Sequence, residues 1–317
     1  MLTREEHLLI GLKALERLRP SLRLRREQLP QPQSPSAPLG SDIDPVEETA
    51  FADGFSDLPL AEAPNEVPIP WSSSLDVILE RYGPFPAGAS ILGVCEDGLP
   101  LVLDLANPAP GAILVAGDAG SGKTNLLSAL ITSACRINPP NKLSFSVISV
   151  YPDEYQPVAG YAHLQELRAV EEPSASQLIT RLAEMAETRR RGGSLDPVLI
   201  LGIDDLAAFL DLIDGQDFTN LHYLIKHGPR ARIWPVATLP TAQIQRIDPR
   251  MLTAFRTLIM GSITSRDLAS YLLNNDGAKI PESVLSGQFC VPNGEGWRYF
   301  WACETGFNAM PDTGDVG

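Results

Sequence analysis

Aromatic residues make up only 7% of the 317 positions, and the chain has just four cysteines and four histidines. The cysteines, Cys95, Cys135, Cys290 and Cys303, are scattered with no C-x-x-C pair, and His7, His163, His222 and His227 complete no ligand spacing. This excludes a zinc module and a disulfide framework and points to buried thiols in a reducing compartment. No apolar run reaches the roughly 18 residues that cross a bilayer, so no transmembrane helix is expected. The N-terminus lacks both the apolar core and the small-residue cleavage site of a secretory leader, which makes the expected location cytoplasmic. Bases are scarce too: 25 Lys and Arg face 39 Asp and Glu, a net charge of −14. That sign argues against holding nucleic acid by bulk charge, although it leaves room for a small basic lining at the centre of a ring.

The charge is unevenly spread. Residues 1–28 carry seven bases against four acids, with Leu8, Leu9, Leu12, Leu15 and Leu18 on one helical face before Pro20. This segment is expected to be an amphipathic helix that docks on a protein partner or on the chain's own body. Residues 29–70 hold nine prolines, and residues 41–70 hold eight acids and no base. Such a segment buries too little surface to offset ordering, so a disordered linker is expected there. A globular domain is expected over 71–317.

That domain contains one motif of high specificity. Gly117-Asp118-Ala119-Gly120-Ser121-Gly122-Lys123-Thr124 reads G-x-x-x-x-G-K-T. An apolar run from Ala112 precedes it, and a helix-forming stretch from Asn125 to Ala134 follows. Small residues let successive backbone N–H groups turn inward around a polyphosphate, and the following helix aims its positive end at the same anion. Lys123 is placed to reach the β- and γ-phosphates of ATP or GTP, and Thr124 to ligate Mg²⁺. The cofactor set expected is ATP with Mg²⁺, held by residues 117–125.

The partner motif is an apolar strand ending in a carboxylate, which Val198 to Ile203 followed by Asp204-Asp205 supplies. Asp204 is expected to hold Mg²⁺ through water and Asp205 to position or deprotonate the attacking water. Paired Asp residues also suit the cap of a helix starting at Leu206, and both roles fit one strand-to-helix junction.

The remaining pattern alternates strands and helices. Hairpins are expected around Glu96-Asp97-Gly98 and around Asn293-Gly294-Glu295-Gly296, with strands at 143–150, 233–237 and 257–260. Helices are expected near 174–191, 219–226 and 266–273. Together these give an α/β fold of the P-loop NTPase, RecA-like kind: a mostly parallel sheet with helices on both faces and small β-hairpins before the phosphate loop and at the C-terminal end of the chain.

Several segments resemble the motor domain of the FtsK/SpoIIIE branch of the FtsK–HerA ATPases, between about Ile91 and Ala302. Gly93 to Leu105 and Ala112 to Leu127 are similar to that family's hairpin and phosphate-loop strand. Glu184-Met185 with Arg189-Arg190 is similar to its E-M-x-R-R helix, and Val236-Ala237-Thr238 to its A-T-Q strand end. Ser262 to Leu268 resembles its S-x-x-D-S-R segment, and Gly287-Gln288-Phe289 its last Gly-rich turn. The resemblance implies a ring of identical subunits, usually six, that hydrolyses ATP and moves double-stranded DNA. Related EccC-type ATPases of type VII secretion handle protein instead. It also implies that Thr238 senses the γ-phosphate, and that an arginine acts from a neighbouring subunit, with Arg230, Arg232 and Arg266 as candidates.

The chain departs from the family pattern in three ways. Asp205 stands where DNA-translocating members have Glu, so lengthening it is expected to restore reach. Leu239 replaces the sensor Gln, and no winged-helix DNA reader is expected after the last hairpin. The first two departures also suit a nucleotide-gated assembly protein that binds ATP and hydrolyses it little.

Overall fold

The computed structural model describes residues 74–273, 281, 284–293 and 296–305. The expected helix over 1–28, the linker over 29–70, and Gly294-Glu295 at the last hairpin tip lie outside them.

Along the chain come α1 (Leu75–Tyr82), β1 (Ala89–Cys95), β2 (Pro100–Asp104), β3 (Ile113–Gly117), α2 (Lys123–Ile137) and β4 (Leu143–Ser149). A 3-10 turn (Pro152–Tyr155) leads into α3 (Gln156–Ala159), β5 (Leu164–Ala169), α4 (Pro173–Arg190) and β6 (Val198–Asp204). Then follow α5 (Leu206–Leu210), α6 (Gly215–His227), β7 (Ile233–Pro240), α7 (Pro249–Ala254), β8 (Thr257–Met260), α8 (Arg266–Leu272), β9 (Gln288–Asn293) and β10 (Gly296–Ala302).

All ten strands form one sheet in the order β2-β1-β10-β9-β8-β3-β7-β6-β4-β5. From β8 to β5 every pair is parallel. These strands are buried along nearly their whole length except for edge strand β5, as expected of a parallel sheet covered on both faces. Alternate residues feed two cores. Ile113 and Val115 of β3 pack with Leu126, Leu127, Leu130 and Ile131 of α2. Ala112, Leu114 and Ala116 meet α4 and α6 through Leu178, Leu182, Leu221 and Leu224.

The two predicted hairpins form, but they are not separate appendages. β1 pairs antiparallel with β10, and β9 joins β8 through Met260 and Cys290, so both hairpins prolong the main sheet. Gly93 makes this possible: a Cβ there would lie 1.9 Å from the Trp301 carbonyl oxygen. Several elements gave no clear sequence signal. In β5 the sequence LQELRA has no fully buried side chain and is defined by its pairing with β4. Helix α1 is short, and α7 is one and a half turns capped by Asp248.

The topology has one consequence for function. Strand β7 lies between β3 and β6, so its carboxyl end sits between the phosphate loop and Asp204.

Candidate nucleotide-binding site

Residues 117–122 connect β3 to α2 through two left-handed glycines, Gly120 (φ 76°) and Gly122 (φ 91°), a region that disfavours any Cβ. Gly117 is needed for close approach instead, because a Cβ there would stand 2.5 Å from Ser121 Oγ. Gly122 caps α2 without a side-chain hydrogen bond, and the first turn holds no acid. The first amides of this 15-residue helix therefore keep their positive end for an anion.

Lys123 Nζ donates to the Asp118 carbonyl at 2.8 Å and lies 3.5 Å from Ser121 Oγ. Burial lowers its pKa from the usual lysine value, while Asp204, Asp118 and Asp205 act in the opposite direction. A backbone carbonyl is a weaker partner than an anionic oxygen, so a phosphate would readily take its place. The Asp118 carboxylate points away from this cation site. It accepts from Thr241 Oγ1, and from Thr264 N and Oγ1 at 2.7 Å each. Burial acts to raise the Asp118 pKa, but the Thr241 and Thr264 hydrogen bonds with nearby Lys123 outweigh it and hold the group below the usual range. Ala119, Gly120 and Asn125 are exposed at the mouth.

At the end of β6, Asp204 is 8% exposed and doubly held. Thr124 Oγ1 donates to one carboxylate oxygen at 3.0 Å, and Thr238 Oγ1 donates to the other at 2.6 Å. The Thr238 hydroxyl in turn accepts from the Asp205 amide at 2.8 Å. One hydrogen-bonded chain thus links α2, β6 and β7. Asp205 takes a left-handed backbone (φ 69°), and its Oδ1 caps α5 by accepting from Ala208 N at 3.0 Å. Capping is therefore present, and lengthening this side chain would not simply add reach: Glu caps poorly, and a left-handed backbone suits Asp or Asn. Leu239 is fully buried in the apolar core beside Ala116, with no polar atom to offer.

Of the three arginine candidates, Arg232 pairs with Asp196 at 3.0 Å, whereas Arg230 and Arg266 are exposed. Arg189 is a buried staple: its guanidinium donates to the carbonyls of Ala231 (3.0 Å), Arg232 (3.4 Å) and Pro197 (2.9 Å).

Sequence reasoning missed several contacts to the loop. Thr241 and Thr264 hold Asp118, Ser286 Oγ donates to the Gly120 carbonyl at 2.7 Å, and Gly287 N donates to the Ser121 carbonyl at 3.2 Å. These partners lie more than a hundred residues from the loop, and single Thr, Ser or Gly residues carry no pattern that announces them.

Residues 88–219 match the model of the FtsK/SpoIIIE family. Over that stretch, which holds the phosphate loop and Asp204, the chain is similar to the FtsK/SpoIIIE family. A search of curated proteins returns no match. Among solved structures, the domain is similar to EssC (ATPases 2 and 3) from Geobacillus thermodenitrificans. The identity is 16% and the TM-score 0.56, covering 69% of this chain and 44% of that one. It is also similar to Thermomonospora curvata EccC (ATPases 2 and 3) in complex with a signal sequence peptide, at 18% identity and TM-score 0.53 over 68% and 40%. A third is the pCW3 conjugation coupling protein TcpA, a monomer form with ATPγS, at 18% and 0.56 over 71% and 68%. At these identities the likeness is one of fold. The chain spans less than half the length of the EssC and EccC structures.

The residues present fit Mg²⁺ with a nucleotide. Mg²⁺ takes hard oxygen donors and is usually bound by one or two protein groups plus phosphates. The Thr124 hydroxyl and Asp204 carboxylate stand 3.0 Å apart beside the loop, and no group of three His, Cys, Asp or Glu suited to a metal occurs among the described residues. No helix among the described residues is long and apolar enough to cross a membrane.

Proposed function

We propose that this chain is an ATP-binding and ATP-hydrolysing subunit of an FtsK–HerA-type translocase, built into a ring with copies of itself and acting on double-stranded DNA. The observation that carries the reading is the hydrogen-bonded chain Thr124–Asp204–Thr238–Asp205 beside a glycine loop whose lysine rests on a replaceable carbonyl. In this reading the amides of residues 120–124 and Lys123 hold the phosphates, and Thr124 and Asp204 hold Mg²⁺, Asp204 through water. The bound metal supplies charge neutralisation of the β- and γ-oxygens. Thr238 keeps Asp204 in one orientation and fixes the Asp205 amide, which sets where the Asp205 carboxylate can meet a water. The free Asp205 oxygen, Oδ2, is the group available to orient that water or take its proton.

A second reading has a protein as the moved polymer. The net charge of −14 favours it, as does the EccC structure, which was solved with a signal sequence peptide. Comparing ATP turnover of the full chain alone, with double-stranded DNA and with a peptide of signal-sequence type separates the two. Turnover raised about tenfold or more by DNA is the expected result, since each tenfold is about 1.4 kcal/mol of barrier. Stimulation by peptide and not by DNA overturns the DNA assignment. Tight ATP binding with no turnover under any of these conditions overturns hydrolysis in favour of a nucleotide-gated assembly role.

A further inference from the structure

Asp118 puts a negative charge in a loop built for phosphate, where like charges repel. It is also the residue on which the loop cation rests, since Lys123 Nζ donates to its carbonyl at 2.8 Å. The carboxylate and the carbonyl of one aspartate share a Cα, so a change of rotamer brings the carboxylate within reach of the same ammonium. That pair would be charged on both sides and stronger than the bond to the carbonyl. It would also occupy the cation that a phosphate needs.

Two threonines stand in the way. Thr241 is 2% exposed and opens the 3-10 turn that follows β7 (Thr241–Arg246), and its Oγ1 donates to Asp118 Oδ1. Thr264 lies between β8 and α8 and donates to Oδ2 through both N and Oγ1, at 2.7 Å each. The backbone is tied to the same side, because Asp118 N donates to the Ser262 carbonyl at 2.8 Å. Three donors therefore hold the carboxylate, and all come from segments that leave β7 and β8, the strands flanking β3. None of the three is a cation, so the clasp directs the charge without cancelling it.

Resting on the nucleotide-site reading above, we propose that Thr241 and Thr264 are positioning residues that keep the Asp118 carboxylate off Lys123 and so leave the lysine to the phosphates. Released, Asp118 closes onto Lys123 and competes with the nucleotide from within the loop. Both threonines act through Asp118, and neither touches the ligand.

The test is Thr241→Val with Thr264→Val in the full chain, made with and without Asp118→Asn. Affinity for ATPγS with Mg²⁺ is read by calorimetric titration, and ligand-free melting beside it. Asparagine keeps the clasp, since its carbonyl oxygen accepts from Thr264 and its amide donates to the Thr241 hydroxyl, but it has no charge to offer Lys123. The two valines alone should weaken affinity about fivefold, the size of one ion pair near the surface that binding must first break. Asp118→Asn should bind at least as tightly as wild type, and adding the valines to it should change affinity by less than about twofold. Thr264→Val alone, at an exposed position, should show the same pattern with a smaller loss, and Thr264→Ser should bind as wild type. An equal loss from the valines with and without Asp118→Asn overturns the proposal and makes the threonines a brace for the loop's shape; so does no loss in either case. Wild-type protein that binds ATPγS no more tightly than Lys123→Ala overturns the site reading itself, since the lysine would then have no phosphate to lose.

Discussion

Strands β6 and β7 are finished differently at their two ends. At the amino ends, one buried guanidinium, that of Arg189, donates to three carbonyls from the segments that enter the strands. Each partner is covalently part of the fold. At the carboxyl ends, Thr238 and Thr124 bond Asp204, and Lys123 rests on a loop carbonyl. Here the carbonyl that holds Lys123 is exchangeable for an anionic oxygen. Polar groups that exist for stability are satisfied by the chain itself, whereas groups that exist for a ligand are satisfied provisionally. The same pair of strands therefore separates a stability end from a chemistry end.

Arg189→Met tests the first half of that contrast and should have the largest effect. Methionine keeps much of the apolar stem and leaves three carbonyls without their donor, at a cost of about 3 kcal/mol even with partial rescue by water. Urea unfolding should show that loss, while ATP affinity of the folded protein stays within about twofold, below the 1.4 kcal/mol that a tenfold change represents. A fall in affinity without a fall in stability would place Arg189 in the chemistry and break the contrast.

Lys123→Ala tests the other half. Affinity for ATP should drop about a hundredfold or more, roughly 2.7 kcal/mol, because the only loop cation is removed from the phosphates. Stability without ligand should shift by less than about 1 kcal/mol, since burial already opposes the lysine's charge and its one close partner is a single carbonyl. Calorimetric titration and ligand-free melting read the two quantities separately.

Asp205 belongs to both ends at once, and its variants sharpen the contrast with the smallest effects on stability. Asn caps as well as Asp and tolerates a left-handed backbone, so Asp205→Asn should leave melting within about 0.5 kcal/mol while slowing turnover. Asp205→Glu should cost about 1 kcal/mol through the lost cap and the strained backbone. Turnover unchanged in Asp205→Asn would mean that another group positions the water.

The legible parts of this protein share a physical basis. The run Ala112 to Ala116 is an uninterrupted apolar stretch before glycines, and a strand buried on both faces reads that way wherever it lies in a sheet. Strand Thr257–Met260 is legible at its observed bounds for the same reason, and α4 is closed by the Gly192-Gly193 that follow it in sequence. Strand β5 was illegible because edge position gives it no continuous apolar face; its backbone partners make it a strand. Of the candidate site, Lys123, Thr124 and Asp204 were legible, since each stands in a motif with a fixed local offset, and Thr238 through the family resemblance of its strand end. Thr241, Thr264 and Ser286 were not, because what makes each matter is one oxygen atom meeting a partner far away in sequence.

By itself the sequence determined the chemistry available here. Glycines at 117, 120 and 122 permit only a tight loop, a lysine and a threonine follow at fixed spacing, and the acid pair ends an apolar strand; these are local covalent facts. Only the tertiary structure decided which groups meet. It inserted β7 between β3 and β6 so that Thr238 bonds Asp204, and it joined two hairpins to the sheet edge. It also turned the Asp118 carboxylate away toward Thr241 and Thr264. The reason is one of range. Backbone conformation and periodicity act over a few residues and are written in order along the chain. A hydrogen bond between residues a hundred positions apart depends on the register of strands that intervene, and no local pattern records it.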